Sequence, residues 1–185
     1  MVIWITGLSG AGKTTLADKL AKHYRGLGYP VLQIDGDEMR KILNFQSSYD
    51  QESRIRISQI YSKMASYASE QGLLVIVSVI GLFKETFEWN RKNLISYFEI
   101  FMDTPMEELK KRNSKNLYNN PFDTQTIVGV SLEMHYPDHS DLYINFDPLK
   151  TPDQVAQNCI NEFDVFIKQS HPHRGKIASD HKAPT

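Results

Sequence analysis

Gly7-Leu8-Ser9-Gly10-Ala11-Gly12-Lys13-Thr14 stands directly behind the apolar run Val2-Ile3-Trp4-Ile5 and ahead of Leu16, Leu20 and Tyr24 at helical spacing. A strand, a glycine-rich turn and a helix in that order make a phosphate-binding loop. Glycines let backbone N–H groups close on phosphate oxygens, and the helix start adds a dipole that favours anions. Lys13 is placed to bridge the terminal phosphates and Thr14 to offer its hydroxyl to Mg²⁺. Gly7, Leu8, Ser9, Gly10, Ala11, Gly12, Lys13, Thr14 and Thr15 are therefore assigned to a nucleoside triphosphate, with ATP and Mg²⁺ as the expected cofactors.

The rest of the chain bounds what this loop can serve. At 185 residues and 41% hydrophobic content, one well-buried domain is the default. Its 21 basic and 22 acidic residues nearly cancel, so nucleic acid and anionic membrane are not expected partners. No apolar run approaches the ~20 residues that span a bilayer. The first residues lack a basic leader and a cleavable apolar segment, so a cytoplasmic protein is expected. The single Cys159 excludes an internal disulfide and reads as a buried structural thiol.

Short β-branched runs alternate with longer helical patterns, the signature of an α/β fold with a parallel sheet covered on both faces. Strands are expected at Val2–Thr6, Val31–Ile34, Leu73–Ile80, Tyr97–Met102 and Leu142–Phe146. Helices are expected at Lys13–Arg25, Gln51–Gln71 and Phe83–Ile95, with two more opening at Thr104-Pro105 and Thr151-Pro152. The last reaches about Lys168, so the domain is read as residues 1–168 and a flexible tail as 169–185. Residues 113–136 carry Asn, Pro, Asp and Gly with little periodicity and read as a lid or binding loop. His171, His173 and His181 in the tail lack the Cys or carboxylate cluster that would complete a metal site.

The second strand runs straight into Asp35-Gly36-Asp37, at the carboxyl edge where open α/β sheets gather ligands. Either carboxylate there can hold Mg²⁺ through water or accept the proton of an attacking hydroxyl. Asp37 could also cap the short helix that carries Met39 and Leu43. Arg40 follows Asp37 by one turn, and Arg54 and Arg56 open the next helix. Guanidinium forks around a cleft suit an acceptor that is itself a phosphate- or sulfate-bearing anion.

These residues resemble the adenylylsulfate kinases, which use ATP to phosphorylate the 3′-hydroxyl of adenosine 5′-phosphosulfate (APS). The likeness runs from about Val2 to Ile160. It is carried by Ile5 through Thr15, by Asp35-Gly36-Asp37 with Arg40, by Val75-Ile76-Val77-Ser78 and by Phe101-Met102-Asp103-Thr104-Pro105. A last block, Arg112-Asn113-Ser114-Lys115-Asn116-Leu117-Tyr118, is similar to the family's Arg-Asp-Pro-Lys-Gly-Leu-Tyr lid segment. The resemblance implies a three-layer P-loop nucleotide kinase fold with a five-stranded parallel sheet, a mobile lid and a homodimer. It also implies Asp37 as base or Mg²⁺ organiser, Asp35, Arg40, Arg54 and Lys115 on the acceptor nucleotide, and Lys13 with Arg112 on the migrating phosphoryl group.

The departures concern the acceptor. Ile57 and Gln59 stand where the family has Asn and Arg, and Gly81 stands where it has Ser within Phe-Ile-Ser-Pro-Tyr-Arg. Some descriptions of the family place a phosphorylated intermediate on that Ser, which Gly81 cannot carry, so direct in-line transfer is expected. A changed set of contacts can change the substrate. APS is the first expectation, and cytidine diphosphoramidate, the acceptor of a relative in capsule modification, is the alternative. A reading from another class is an ATP-binding switch module, which the loop fits equally well but which leaves the acids and arginines unexplained. Tyr49, Phe83, Phe122 and Tyr136 are the candidates to stack on the acceptor base.

Overall fold

The computed structural model describes residues 1–45, 50–112 and 135–170. Among them, five strands alternate with six helices: β1 (Val2–Gly7), α1 (Lys13–Gly26), β2 (Val31–Asp35), α2 (Gly36–Ile42), α3 (Gln51–Glu70), β3 (Leu74–Ser78), α4 (Lys84–Asn93), β4 (Tyr97–Asp103), α5 (Met106–Arg112), β5 (Leu142–Asn145) and α6 (Pro152–Ser170). The strands form one parallel sheet in the order β2-β3-β1-β4-β5. The alternation of short apolar runs with helical patterns is thus borne out as a three-layer α/β fold.

The sequence pattern explains the layers. β1 and β3 are buried at every residue, as their unbroken apolar runs require, while the edge strand β5 alternates between half-buried and exposed. Side chains of β1 alternate between two cores. Ile3 and Ile5 pack with Leu20, Ile100, Cys159 and Phe163 on the α1/α6 side. Val2 and Trp4 pack with Ile57, Tyr61, Val77 and Tyr97 on the other, beneath α3. Among the described residues no helix is long and apolar enough to cross a membrane.

Two local features position the site. β1 stays paired with β4 to its last residue, Gly7 opposite Met102. There a Cβ on Gly7 would lie 2.6 Å from the Met102 carbonyl oxygen, and φ is +147°, so only glycine lets the chain leave the sheet at that point. On the neighbouring strand the ladder ends at Ser78, two residues before the expected Ile80, because the chain then turns through Gly81 at φ +46°. The loops after β1, β2 and β3 therefore emerge side by side at the carboxyl edge.

Candidate active site

The loop Gly7 to Gly12 feeds directly into α1, whose first two residues are Lys13 and Thr14. Lys13 Nζ donates to the Leu8 carbonyl at 2.7 Å, which folds the ammonium over the loop. Thr14 Oγ1 donates to Asp35 Oδ2 at 2.8 Å, and Ser78 Oγ donates to the same oxygen at 2.9 Å. The other carboxylate oxygen of Asp35 accepts from the backbone N–H groups of Asp37 (3.0 Å) and Glu38 (3.3 Å). Asp35, not Asp37, thus caps α2: it holds the extended backbone a cap needs, while Asp37 lies within the first turn. Burial would raise the Asp35 carboxyl, but the hydrogen bonds from Thr14 and Ser78, with the two amides, outweigh it and hold the group below its ordinary range.

This carboxylate and hydroxyl set is all oxygen, the chemistry that Mg²⁺ takes from one or two protein groups beside phosphates and water. The loop and its surroundings therefore fit a magnesium-bound triphosphate. A cleft there is lined by Gly10, Gly12, Lys13, Thr14, Asp35, Asp37, Ser78 and Arg112.

A second pocket adjoins the first and is lined by Asp37, Arg40, Arg54, Ile57, Ser58, Tyr61, Gly81 and Phe83. Asp37, on exposed backbone at the start of α2, lines both. Arg40 is steadied by a 3.0 Å hydrogen bond to the Phe45 carbonyl. Tyr61 donates to the Gly36 carbonyl at 3.2 Å, and burial, against the pull of Arg40, pushes its phenol up to about 12. It is a fixed neutral donor on the wall. Arg56 and Gln59 line neither pocket.

Arg112 closes the opposite end. It donates to the Gly10 carbonyl at 3.1 Å and to Glu108 at 3.0 Å, and its guanidinium lies 4.9 Å from the centre of the Phe146 ring. Phe146 and Arg112 share a third pocket with Thr15, Met102, Thr104 and Val155, beside the loop and away from the arginine-lined pocket. A flat apolar group fits between such walls.

Of the expected residues, Ser9, Gly10, Gly12, Lys13, Thr14, Thr15, Asp35, Asp37 and Arg112 line the loop cleft, and Arg40 and Arg54 line the adjoining pocket that shares Asp37. Lys115 and the aromatic candidates Tyr49 and Phe122 lie outside the described residues, as do residues 113–134 of the expected lid and 171–185 of the expected tail. Phe83 lines the arginine pocket, whereas Tyr136 packs on Phe101, ring centres 5.5 Å apart. Ser78, Tyr61 and Phe146 went unrecognised in the sequence. Ser78 could have been found from its place at the end of a central strand, between the strands that carry the loop and Asp35.

Residues 1–145 match the family described as Adenylylsulphate kinase. The chain is 39% identical over 150 residues to the cytidine diphosphoramidate kinase of Campylobacter jejuni, covering 78% of this chain and 85% of that protein. It is 35% identical over 162 residues to a probable adenylyl-sulfate kinase of Pyrococcus abyssi, covering 86% and 92%. Among solved structures, it resembles the Mycobacterium tuberculosis APS kinase CysC in complex with AMPPNP and APS, with a TM-score of 0.80 and 27% identity over 88% of this chain and 96% of that one.

Proposed function

From the premise that the chain belongs to the adenylylsulphate kinase family and is a phosphotransferase with an alcohol acceptor, we propose that it moves the γ-phosphate of ATP to the ribose 3′-hydroxyl of an activated nucleotide, APS in the first reading. The observation that carries the proposal is the position of Asp37 on the wall shared by the loop cleft and the Arg40/Arg54 pocket. A donor bound in one and an anionic acceptor in the other would meet at that carboxylate.

The roles follow from the geometry. Lys13 exchanges the Leu8 carbonyl for the terminal phosphates of ATP, and the loop amides cradle them. Thr14, its hydroxyl aimed by Asp35, would hold Mg²⁺, which when bound draws charge off the phosphates. Arg112 reaches from the loop to Phe146 and neutralises charge on the transferring group, while the Phe146 pocket takes the donor base. Arg40 and Arg54 bind the anionic end of the acceptor. Asp37 orients and deprotonates the hydroxyl. Transfer is direct, since Gly81 carries no hydroxyl to hold a phosphoryl group. In solution we read the protein as a homodimer, which light scattering would show as twice the chain mass.

A second acceptor, cytidine diphosphoramidate, is favoured by the 39% identity to the Campylobacter jejuni kinase and by Ile57, an apolar residue lining the arginine pocket. The test measures ADP release with APS, cytidine diphosphoramidate, AMP and CMP in parallel. Turnover above the ATP-only rate with one of the first two identifies the acceptor, and no stimulation by any of the four overturns the proposal. Asp37→Ala should keep ATP binding and lose at least ~10²-fold in turnover. Unchanged turnover removes Asp37 from the mechanism.

A further inference from the structure

Beneath the arginine-lined pocket, two buried polar atoms have no hydrogen-bond partner among the described residues: Trp4 Nε1 and Ser58 Oγ. Trp4 is fully buried and Ser58 is 4% exposed. Buried donors are almost always paired, so two orphans near one glycine need a cause. Both lie near Gly81. The place where a side chain would begin on Gly81 lies 3.6 Å from Ser58 Oγ and 3.6 Å from Trp4 Nε1. Gly81 and Ser58 both line the arginine pocket, and Trp4 Nε1 lies behind Gly81.

Resting on the reading of that pocket as the acceptor site, we infer that Trp4 Nε1 and Ser58 Oγ form its deep end and bind an oxyanion oxygen of the acceptor's 5′-terminal group. The chemistry selects the ligand atom. An indole N–H can only donate and a serine hydroxyl can donate as well, so their shared partner must be an acceptor oxygen. Arg40 and Arg54 on the same pocket make an anion the favoured source of that oxygen.

The floor is closed when the pocket is empty, since neither atom touches solvent. What covers the point is slight: Val79 Cγ2 stands 2.9 Å from where the Gly81 side chain would begin, and Gly81 itself adds no side chain. A glycine at φ +46° can shift its peptide with little steric resistance, and a small rotation of Val79 then admits one oxygen. The unmade hydrogen bonds are a stability cost kept at a functional site, and a ligand lacking the terminal group cannot recover it. The pair would thereby help distinguish an activated nucleotide from the plain monophosphate.

The test uses the full chain and the pairs APS against AMP and cytidine diphosphoramidate against CMP. Ser58→Ala should lose about ten-fold in kcat/KM for the member bearing the terminal group. The KM for ATP and the response to the monophosphate should stay put. Because the change removes an unpaired hydroxyl, its Tm should match or exceed the wild type, which a merely structural serine would not do. In ¹⁵N-labelled protein, with the second indole identified by Trp89→Phe, the Trp4 Nε1–H resonance should move downfield with the activated nucleotide and stay still with the monophosphate or with ADP and Mg²⁺. An unmoved resonance at saturation, or an unchanged preference in Ser58→Ala, overturns the inference. Should the wild type turn over no acceptor, the functional reading falls. The indole resonance titrated with inorganic sulfate and pyrophosphate then decides: movement weakened by Ser58→Ala upholds the deep site, and no movement removes it.

Discussion

Replacing Asp35 by Asn tests the centre of the donor site, because that carboxylate has no lone pair to spare. Each oxygen takes two donors: Thr14 and Ser78 hydroxyls on one, the Asp37 and Glu38 amides on the other. A carboxylate offers about four such positions, so in the proposed site Asp35 would act on a metal chiefly by aiming the Thr14 hydroxyl. In Asp35→Asn the cap oxygen survives, but an NH₂ group now faces two hydroxyl donors that must turn round. Two charge-assisted bonds worth roughly 1.5–3 kcal/mol each fall to neutral ones near 1 kcal/mol. With the half-burial of the site this leaves a net loss of about 1–3 kcal/mol, or a Tm lower by roughly 2–12 °C for a domain of this size.

Function should suffer more than stability. Loss of an outer partner that orients a metal ligand typically costs 10–100-fold in metal affinity. At saturating ATP, the Mg²⁺ concentration for half-maximal turnover should rise by at least ~10-fold. The pH dependence has a definite sign. The folded state holds Asp35 below its ordinary value, so its contribution is complete above that value and is lost as pH falls through the folded pKa. The gap in Tm between wild type and variant should therefore be constant from pH 6 to 8 and close in strong acid. Circular dichroism melts and a Mg²⁺ titration of turnover measure both effects. A variant with wild-type Tm and wild-type Mg²⁺ dependence would refute the assignment.

Phe146→Ala removes the ring under Arg112 and one wall of the base pocket, and should raise the KM for ATP roughly three- to ten-fold with the acceptor KM unchanged. Initial-rate kinetics in both substrates decide it, and an effect on the acceptor instead would reverse the assignment of the pockets. Glu99, with a 2% exposed side chain bridged to Arg91 at 2.9 Å, is pushed up to about 7 by burial, which exceeds the opposing pull of Arg91. Its stabilising contribution is full below the ordinary carboxyl value and is lost as pH rises through the folded value. Stability should thus fall by on the order of 3 kcal/mol between about pH 4.5 and 7. Glu99→Gln should flatten that slope in calorimetric melts, and parallel curves for the two proteins would contradict it.

Local signals were legible in the sequence because they rest on one segment at a time. Val2 to Ile5 announced a fully buried strand, Gly7 to Thr14 the loop, and Thr151-Pro152 a helix start that the structure completes with reciprocal bonds between Thr151 and Gln154. Asp35 and Asp37 were visible as a pair, but their division of labour was not. Which aspartate caps depends on where the strand stops, and that is decided by its neighbour. Ser78 and Trp4 depend on sheet register, which pattern alone does not supply. Ser78 reaches Asp35 because β2 and β3 pair Asp35 with Ser78, and it lies beside the loop because β1 and β3 pair Ile5 with Ser78. Trp4, one residue earlier on β1 and opposite Val77, must face the other core, where α3 carries Ser58. The strand order β2-β3-β1 therefore accounts for both at once. A strand inserted between the one bearing the loop and the one bearing the acids must contribute its last residue to the proposed metal side, and the turn after it to the proposed acceptor side. On that reasoning the hydroxyl at position 78 and the missing side chain at position 81 are two outcomes of one topological fact, and substitutions there should separate donor from acceptor effects.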